Sequence, residues 1–485
     1  MRVAYNSQIT PQLKVWTQDQ CHEMHLKSLE ILERTGVIVH DEEALRVYKS
    51  GGAYIRNNKV FIPAWMVEEA LRTAPERIVL RRQHKTVRLE ENVVSYGLGT
   101  DLPFFQDYQT KKNRRALLSD VREAALVTDY LPNLDFVASL GVANDVTTRL
   151  ADLYHFQAMY ENSQKPLFMT ATDRPNLQGL IDMAAAAVGS YEELKINPPF
   201  LLYTEPISPL VNSQEAIQKL MLAAEYEIPV TYASGITSGS TGPVTLAGNL
   251  TLGNAEGLAG LVLHQLVNPG APFLYGIVAA PMDMATTICC YGGPEIPIYF
   301  CIVGEMGRYY KLPTFGQSGN SDSPLVDQQA AIEAMFSIFV AAQSGTNLVH
   351  DNGYIGNGLV GSLDMLVMCD ECISMVNQYM KGMEVSPETL ALDLVHQAGP
   401  AGDYRGLSKN MARWTPRYLN KMSFENWSRD PQTMGDKMKE QIDGILKNHK
   451  PVTVTEHVSE EFKRIIAEHE KRVALETPWQ QKHIG

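Results

Sequence analysis

The sequence predicts an α/β protein: a (β/α)8 TIM barrel with an N-terminal α+β extension and a C-terminal helical segment. Three observations point there. Eight short apolar, β-like runs recur at 93–98, 136–143, 166–172, 199–205, 229–235, 271–280, 312–319 and 347–351. Most of them follow a stretch with helical spacing of apolar residues. Strands alternating with helices build parallel sheets, and eight such units favour a closed barrel over an open sheet, the competing arrangement. Polar groups gather just after the runs: Thr100-Asp101, Asn144-Asp145, Thr172-Asp173, Glu205, Ser234-Gly235, Asp283, 320–322 and 350–352. A barrel places its ligand face at the C-terminal ends of its strands, so this one-sidedness is expected of a catalytic face. Any single one of these residues also suits an ordinary turn or helix cap.

Ahead of the barrel, residues 17–35 carry apolar side chains at Met24, Leu29, Ile31 and Leu32 and stop at Gly36, a suitable helix end. Asn57-Asn58 suits a tight hairpin, and 63–74 returns to helical spacing. Residues 1–89 therefore form an N-terminal extension, 90–385 the barrel with its site, and 386–485 a helical segment acting as an outer cap or a contact between copies. The stretch 234–254 is rich in Gly, Ser and Thr. It reads either as a close-packed contact with a flat, bulky partner or as a flexible loop. It lacks the lysine of a phosphate loop, and no G-x-G-x-x-G follows a strand.

Composition narrows the function. With 485 residues, 45% hydrophobic and 20% charged, the chain has the makeup of a globular enzyme. A net charge of −13 without a concentrated basic face argues against nucleic acid and anionic lipid as partners. The N-terminus shows no basic region followed by an apolar one, and no apolar run approaches the roughly 18 residues of a spanning helix. A cytoplasmic location is expected, and six cysteines fit a reducing compartment.

The seventh and eighth runs carry the densest chemistry. If both strands belong to one barrel, Gln317, Asn320, Ser321, Asp322, His350, Asn352 and Tyr354 converge on one site. Aromatic residues near strand ends, among them Tyr96, Tyr203, Tyr275, Phe315 and Tyr354, offer faces for a quaternary ammonium at about 0.5–2 kcal/mol each. Tyr203 and Tyr275 lie earlier in their strands and read as barrel filling, which leaves Phe315 and Tyr354 as the better cage. Cys369-Asp370-Glu371-Cys372 sits in a helical run with no second C-x-x-C and reads as core packing. His264, also in a helical run, reads as structural, and Cys289-Cys290 has no partner histidine legible in the sequence.

The segments LEILERTGVIV, LPNLDFVASL, TGPVTLAGNLTLGNAEGLAGLVLHQLVNPGAPFLYG, PMDMATT with YGGPE, SDSPLVDQQAAIEA and GTNLVHDNGYIGNGLVGSLDMLVMCDEC together resemble the trimethylamine methyltransferase superfamily over nearly the whole chain. That resemblance implies a (β/α)8 barrel and methyl transfer from an amine to the Co(I) corrinoid of a small partner protein. In trimethylamine members pyrrolysine precedes a Thr-Asp pair in the strand-seven loop; here Asn320 precedes Ser321-Asp322. The departure implies the non-pyrrolysine branch, which demethylates quaternary amines such as glycine betaine. Asn320, Asp322 and His350 are the expected catalytic residues. Tyr96, Thr172, Glu205, Phe315, Gln317, Asn352 and Tyr354 are the expected substrate contacts, with no metal held by the chain itself and a homo-oligomer as the working form. A metal-dependent barrel hydrolase using His350, Asp351 and Asp322, or a non-catalytic betaine-binding protein, are the alternatives.

Overall fold

A computed structural model describes residues 12–407, 414–451 and 453–475. The first eleven residues, where no leader pattern was read, lie outside the described residues, as do 408–413, 452 and 476–485.

All eight runs are strand segments, and they close on themselves in parallel. Seven form strands: Ser95–Leu98, Leu167–Met169, Phe200–Thr204, Val230–Tyr232, Phe273–Leu274, Phe315–Gln317 and Leu348–Asn352. The second is shorter than predicted and is held by single bridges, Phe136 to Gly97 and Val137 to Leu167. Tyr275 bridges to Thr314, and Leu348 pairs with both Phe315 and Ser95, which completes the ring. Runs such as Phe200–Thr204 and Leu348–Asn352 are buried along nearly their whole length, without alternation, because helices cover the outside and side chains fill the axis.

The covering helices are Leu118–Tyr130, Ala151–Asn162, Arg174–Val188, Gln214–Glu225, Leu246–Val267, Glu295–Tyr310, Gln328–Ser344 and Leu363–Met380. Several polar residues at strand ends are their caps. Asp173 accepts the Asn176 N–H at 2.8 Å, and Asp327 accepts that of Ala330 at 3.0 Å. Asp145 likewise accepts the Leu118 N–H at 2.8 Å.

The extension does more than pack against the barrel. Helix Gln18–Glu30 begins at Thr17, whose side chain and that of Gln20 cap one another's backbone, and it ends through a wide turn at Gly36, φ +70°. The hairpin Tyr54–Arg56/Lys59–Phe61 turns at Asn57, φ +56°. Strand Val37–Val39 then pairs in parallel with Val211–Asn212, in the connection after the fourth barrel strand. A second hairpin, Ile78–Arg82/Lys85–Leu89, was not predicted. Its inward residues Ile78, Leu80, Val87 and Leu89 share a core with Leu201, Leu274, Phe315 and Leu348, and the Arg81 N–H donates to the Pro198 carbonyl at 2.9 Å. It therefore plugs the barrel at the strand starts, opposite the predicted ligand face.

The flexible-loop reading of 234–254 does not hold at either end, and the reading as a partner contact applies only to its exposed middle, 243–247. Ser234–Ser238 pairs in register with Ile277–Pro281 beyond the barrel rim, and Leu246–Val267 is a buried helix. The small residues are needed because the chain's own neighbours crowd them: a Cβ on Gly253 would lie 2.6 Å from Ile277 Cγ2. The C-terminal helices Met434–Asn448 and Glu456–Ala474 lie against Leu118–Tyr130 and Arg174–Val188 respectively.

His264 is buried among apolar neighbours, and that burial pushes its pKa down to about 3. The folded state holds it neutral while the unfolded state takes a proton below about pH 6.5, so this histidine's contribution to stability is intact above that pH and is lost as pH falls toward 3. Replacing it with leucine should flatten the acid limb, sparing about 2 kcal/mol of the loss between pH 7 and 5 in urea titrations.

Candidate functional site

The barrel axis carries an aromatic layer. Phe315 and His350 stack with centroids 4.2 Å apart and planes at 16°. Phe168 lies 5.6 Å from Phe315 and 5.8 Å from His350, and Tyr203 lies 5.8 Å from Phe315. Strands three and four face strands seven and eight across the barrel, so these rings can meet only on its axis. Tyr203, read from sequence as filling, thus belongs to the layer beside Phe315.

Gln317, two residues beyond Phe315 and on the same face, is in register with His350. Both amide atoms of Gln317 and Nε2 of His350 are buried without a protein partner. Leaving such a group unpaired costs about 1–3 kcal/mol, and that expense is tolerated where a ligand supplies the missing bond. The strand is irregular there: register shifts between Val349 and Asn352, and Asp351 adopts φ +70°. This bulge brings Asp351 round to His350, whose Nδ1–H it accepts through Oδ1. An ionised carboxylate only accepts, so Nδ1 carries a proton and Nε2 is the ring atom left for a ligand.

At the rim, the Tyr203 hydroxyl donates to Glu205 Oε2 at 2.5 Å. Surrounding protein raises the Glu205 pKa, opposed by that hydrogen bond. Glu205 opens onto a cavity of about 490 Å³ shared with Asp101, Asp152, His155, Thr172 and Lys219. That volume is in the range of small-molecule sites, roughly 300–1,000 Å³. Asp101 is held at φ +66°, with its N–H donating to Ser139 Oγ at 3.2 Å. Asp152 accepts from the Thr172 N–H at 2.6 Å, the Thr172 hydroxyl at 3.0 Å and Asn176 Nδ2 at 3.2 Å, while burial pushes its pKa up to about 6. His155 is kept neutral by burial, which lowers it to about 4, and its Nε2 accepts the Ala143 N–H at 3.0 Å.

The strand-seven loop is tied rather than free. Asn320 Nδ2 donates to the Tyr291 carbonyl at 3.0 Å. Asp322 Oδ1 accepts the Tyr291 N–H at 2.7 Å and Asn357 Nδ2 at 3.0 Å, and burial is the main cause raising its pKa. Glu333 Oε2 accepts from the Ser321 hydroxyl at 2.5 Å and the Asp322 N–H at 2.9 Å. Asn320 and Asp322 therefore join the loops after strands six, seven and eight. Tyr291, which the sequence did not single out, stands at their junction.

Three expected contacts face elsewhere. Tyr96 points out of the barrel, its hydroxyl on the Ile338 carbonyl of helix Gln328–Ser344 at 3.4 Å. Asn352 is fully buried, donating to the Gly97 carbonyl at 2.9 Å and accepting from the Ser318 hydroxyl at 3.3 Å. It ties strands one, seven and eight together. Tyr354 is buried, with its hydroxyl on the Thr100 carbonyl at 2.5 Å; it braces the first-strand loop and is not an open aromatic face. Thr172 does line the cavity, although its hydroxyl is turned to Asp152. Glu205 is where a site residue was expected, and Phe315, Gln317 and His350 line the axis beneath the mouth.

Cys369 is buried with its thiol on the Gly319 carbonyl at 3.3 Å, as a packing cysteine. Among the described residues no three His, Cys, Asp or Glu side chains cluster so as to hold a metal ion, and His350, Asp351 and Asp322 form no such set. No described helix is long and apolar enough to cross a membrane.

Comparison with known proteins bears on this arrangement. The profile of the family described as trimethylamine methyltransferase (MTTB) matches residues 2–474. The chain is 29% identical over 465 residues to trimethylamine methyltransferase MttB of Desulfitobacterium hafniense strain DSM 10664 / DCB-2, covering 94% of each. It is 27% identical over 478 residues to glycine betaine methyltransferase of Desulfitobacterium hafniense strain Y51, covering 97% of this chain and all of that one. A crystal structure of the hydroxylamine MtmB complex superposes with a TM-score of 0.50 at 11% identity, covering 97% of this chain and 96% of that one, a likeness of fold. With its barrel and the family match spanning almost its whole length, the chain belongs to the trimethylamine methyltransferase (MTTB) family and is a methyltransferase.

Proposed function

We propose that this methyltransferase moves a methyl group from a quaternary amine, glycine betaine first among them, to the cobalt(I) corrinoid of a small partner protein. The observation that carries the reading is Glu205, a carboxylate held by Tyr203 at the rim above the stacked Phe315 and His350. A carboxylate beside aromatic faces suits an onium head, by charge and by cation–π attraction.

The leaving group explains why the nitrogen should already be charged. A quaternary ammonium departs as a neutral amine, whereas a tertiary amine must first gain a positive charge. The side-chain amide of Asn320, at the position where the resemblance expects pyrrolysine in trimethylamine members, is spent on the Tyr291 carbonyl. One N–H is used there, and a resonance-stabilised amide is not an electrophile that captures an uncharged amine. The glycine betaine methyltransferase among the relatives is consistent with this choice. Proline betaine, carnitine and γ-butyrobetaine fit the same chemistry.

The acceptor's approach also has a physical basis. Ile207, Val244, Met284, Ile288, Leu325 and Leu359 are exposed on the loops after strands four to eight. Apolar side chains ringing a catalytic mouth suit a docked protein. The chain's part is to hold the onium head, direct one methyl carbon outward and exclude water, so positioning supplies the acceleration. Asp322 and Asn320 act through the loops they tie. We read the protein as cytoplasmic and oligomeric; helices Leu392–Ala398 and Phe424–Arg429 bury none of their side chains, which suits a contact between copies.

The test mixes the protein with a partner carrying Co(I) corrinoid and follows the cobalt spectrum with each amine. Methylation with a quaternary amine is the expected result. A faster reaction with trimethylamine than with every quaternary amine refutes it.

A further inference from the structure

Tyr291, in the loop after strand six, is pinned by its backbone. Its N–H donates to Asp322 Oδ1 at 2.7 Å, and its carbonyl accepts from Asn320 Nδ2 at 3.0 Å. Asn357, in the loop after strand eight, donates from Nδ2 to that same Asp322 oxygen at 3.0 Å and to the Cys289 carbonyl at 3.3 Å. The Cys290 N–H donates to the Pro281 carbonyl at 3.0 Å. Three polar side chains from two neighbouring loops are thus spent on fixing one stretch of backbone, and with it the direction in which the Tyr291 ring leaves the loop.

The ring is half-buried. One side of it is covered by Gly358, φ +72°, where a Cβ would stand 3.2 Å from Cε1 and 3.3 Å from Cζ. Burial first, then the neighbouring Asp351, Cys289, Glu205 and Asp322, raise the Tyr291 phenol, and that phenol in turn acts on those of Tyr203 and Tyr354. These groups stand on strands four and eight and in the loops after strands six, seven and eight, around the mouth. The Tyr291 phenol lies among them.

Its hydroxyl differs from those beside it. Tyr203 commits its own to Glu205, and Tyr354 to the Thr100 carbonyl. The Tyr291 hydroxyl meets no described residue within hydrogen-bond distance. A tyrosine that serves only as filling buries its O–H against a partner. A phenol set among three carboxylates and bonded to none of them leaves a space between, with an aromatic wall on one side and Glu205 on another. A desolvated cation suits that space, since the carboxylates and the ring both attract it.

We propose that Tyr291 is a wall of the onium site, its ring facing the charged head of the methyl donor opposite Glu205, and that Asn320 and Asp322 are positioning residues that act on the substrate through it. This rests on the methyl-transfer reading above and names a specificity-determining residue for it.

The experiment uses the full chain and glycine betaine, with calorimetric binding in the absence of the partner and kinetics with the Co(I) corrinoid partner. Removing the ring in Tyr291→Leu should weaken binding and raise KM about tenfold, the scale of one desolvated cation–π face. Tyr291→Phe, which keeps the ring, should restore most of both. Asn320→Ala should raise KM by itself and add nothing in the Tyr291→Leu background, because residues that act as a unit are not additive. Binding and KM unchanged in Tyr291→Leu, equal damage in Tyr291→Phe, additive losses with Asn320→Ala, or no glycine betaine binding to the unaltered protein overturns the proposal. If Tyr291→Leu does not fold, Tyr291→Met is held to the same outcomes. Should cobalt stay unmethylated while glycine betaine binds and that binding depends on the ring of Tyr291, methyl transfer has failed and the onium contact stands.

Discussion

In a Glu205→Gln variant, kcat/KM for a quaternary amine falls about a hundredfold. The change keeps the size of the side chain and removes its charge. Glu205 stands at the edge of a cavity of about 490 Å³, its side chain reaching solvent, and the surrounding protein raises its pKa. Losing one member of such a charge pair costs about 3 kcal/mol, and each 1.4 kcal/mol is about tenfold. The pH profile separates this role from a structural one. The ionised form does the work, so the unaltered enzyme loses activity as pH falls through the raised carboxyl pKa, above the usual glutamate value of about 4.3. In the glutamine variant that limb disappears and the residual rate is flat. An acid limb that persists in the variant would place the titrating group elsewhere.

Asn347→Ala loses about 4 kcal/mol of folding stability, the largest single-site loss expected outside the hydrophobic core. Asn347 is buried at the start of the eighth strand. Its Nδ2 donates to the carbonyls of Glu90 and Glu91 at 3.2 Å and of Val93 at 2.9 Å. Its Oδ1 accepts the Thr314 N–H at 2.8 Å and the Thr314 hydroxyl at 3.2 Å. One amide thus fastens the strands that start at Ser95 and Phe315 to the strand that carries it. Each buried polar group left without a partner costs about 1–3 kcal/mol, and several are left at once. The urea midpoint at unchanged slope measures the loss. A loss below about 1 kcal/mol would mean that the freed groups find other partners at little cost.

The barrel was legible because parallel strands buried on both faces appear as short apolar runs, and the end of each is marked by a turn or a cap. The same property hid which side chains face the axis. When both faces are buried, the sequence carries no alternation to set the phase of a strand, and one residue reverses every side chain. Tyr96 was expected at the mouth and points to helix Gln328–Ser344, while its neighbour Gly97 faces the axis, where a Cβ would lie 2.4 Å from the Phe136 ring. Tyr203 fills the axis as expected, and its hydroxyl also holds Glu205. The hairpin Ile78–Leu89 was missed because its apolar residues alternate over only a few positions and its partner is the underside of a barrel that must already be formed.

Asp351 and Lys219 show a second kind of gap. Asp351 reaches His350 through a bulge at φ +70°, a local geometry that follows from how strand eight pairs with strand one. Lys219 lies in a run, QEAIQKLMLAAE, whose periodicity says helix and says nothing of a cavity. Neither residue carries a local signal of its surroundings.

The chain order of apolar runs and helical spacings was enough to determine the eightfold βα repeat, the end of the barrel where polar groups gather, and, through its segments, the family. These are properties of residues near one another in sequence, set by burial period and turn chemistry. Which rings stack, which amides are spent as ties and which charges share a cavity were decided only on closure of the barrel. They depend on groups a hundred or more residues apart, such as Phe168 and His350, whose distances exist only once strand eight meets strand one.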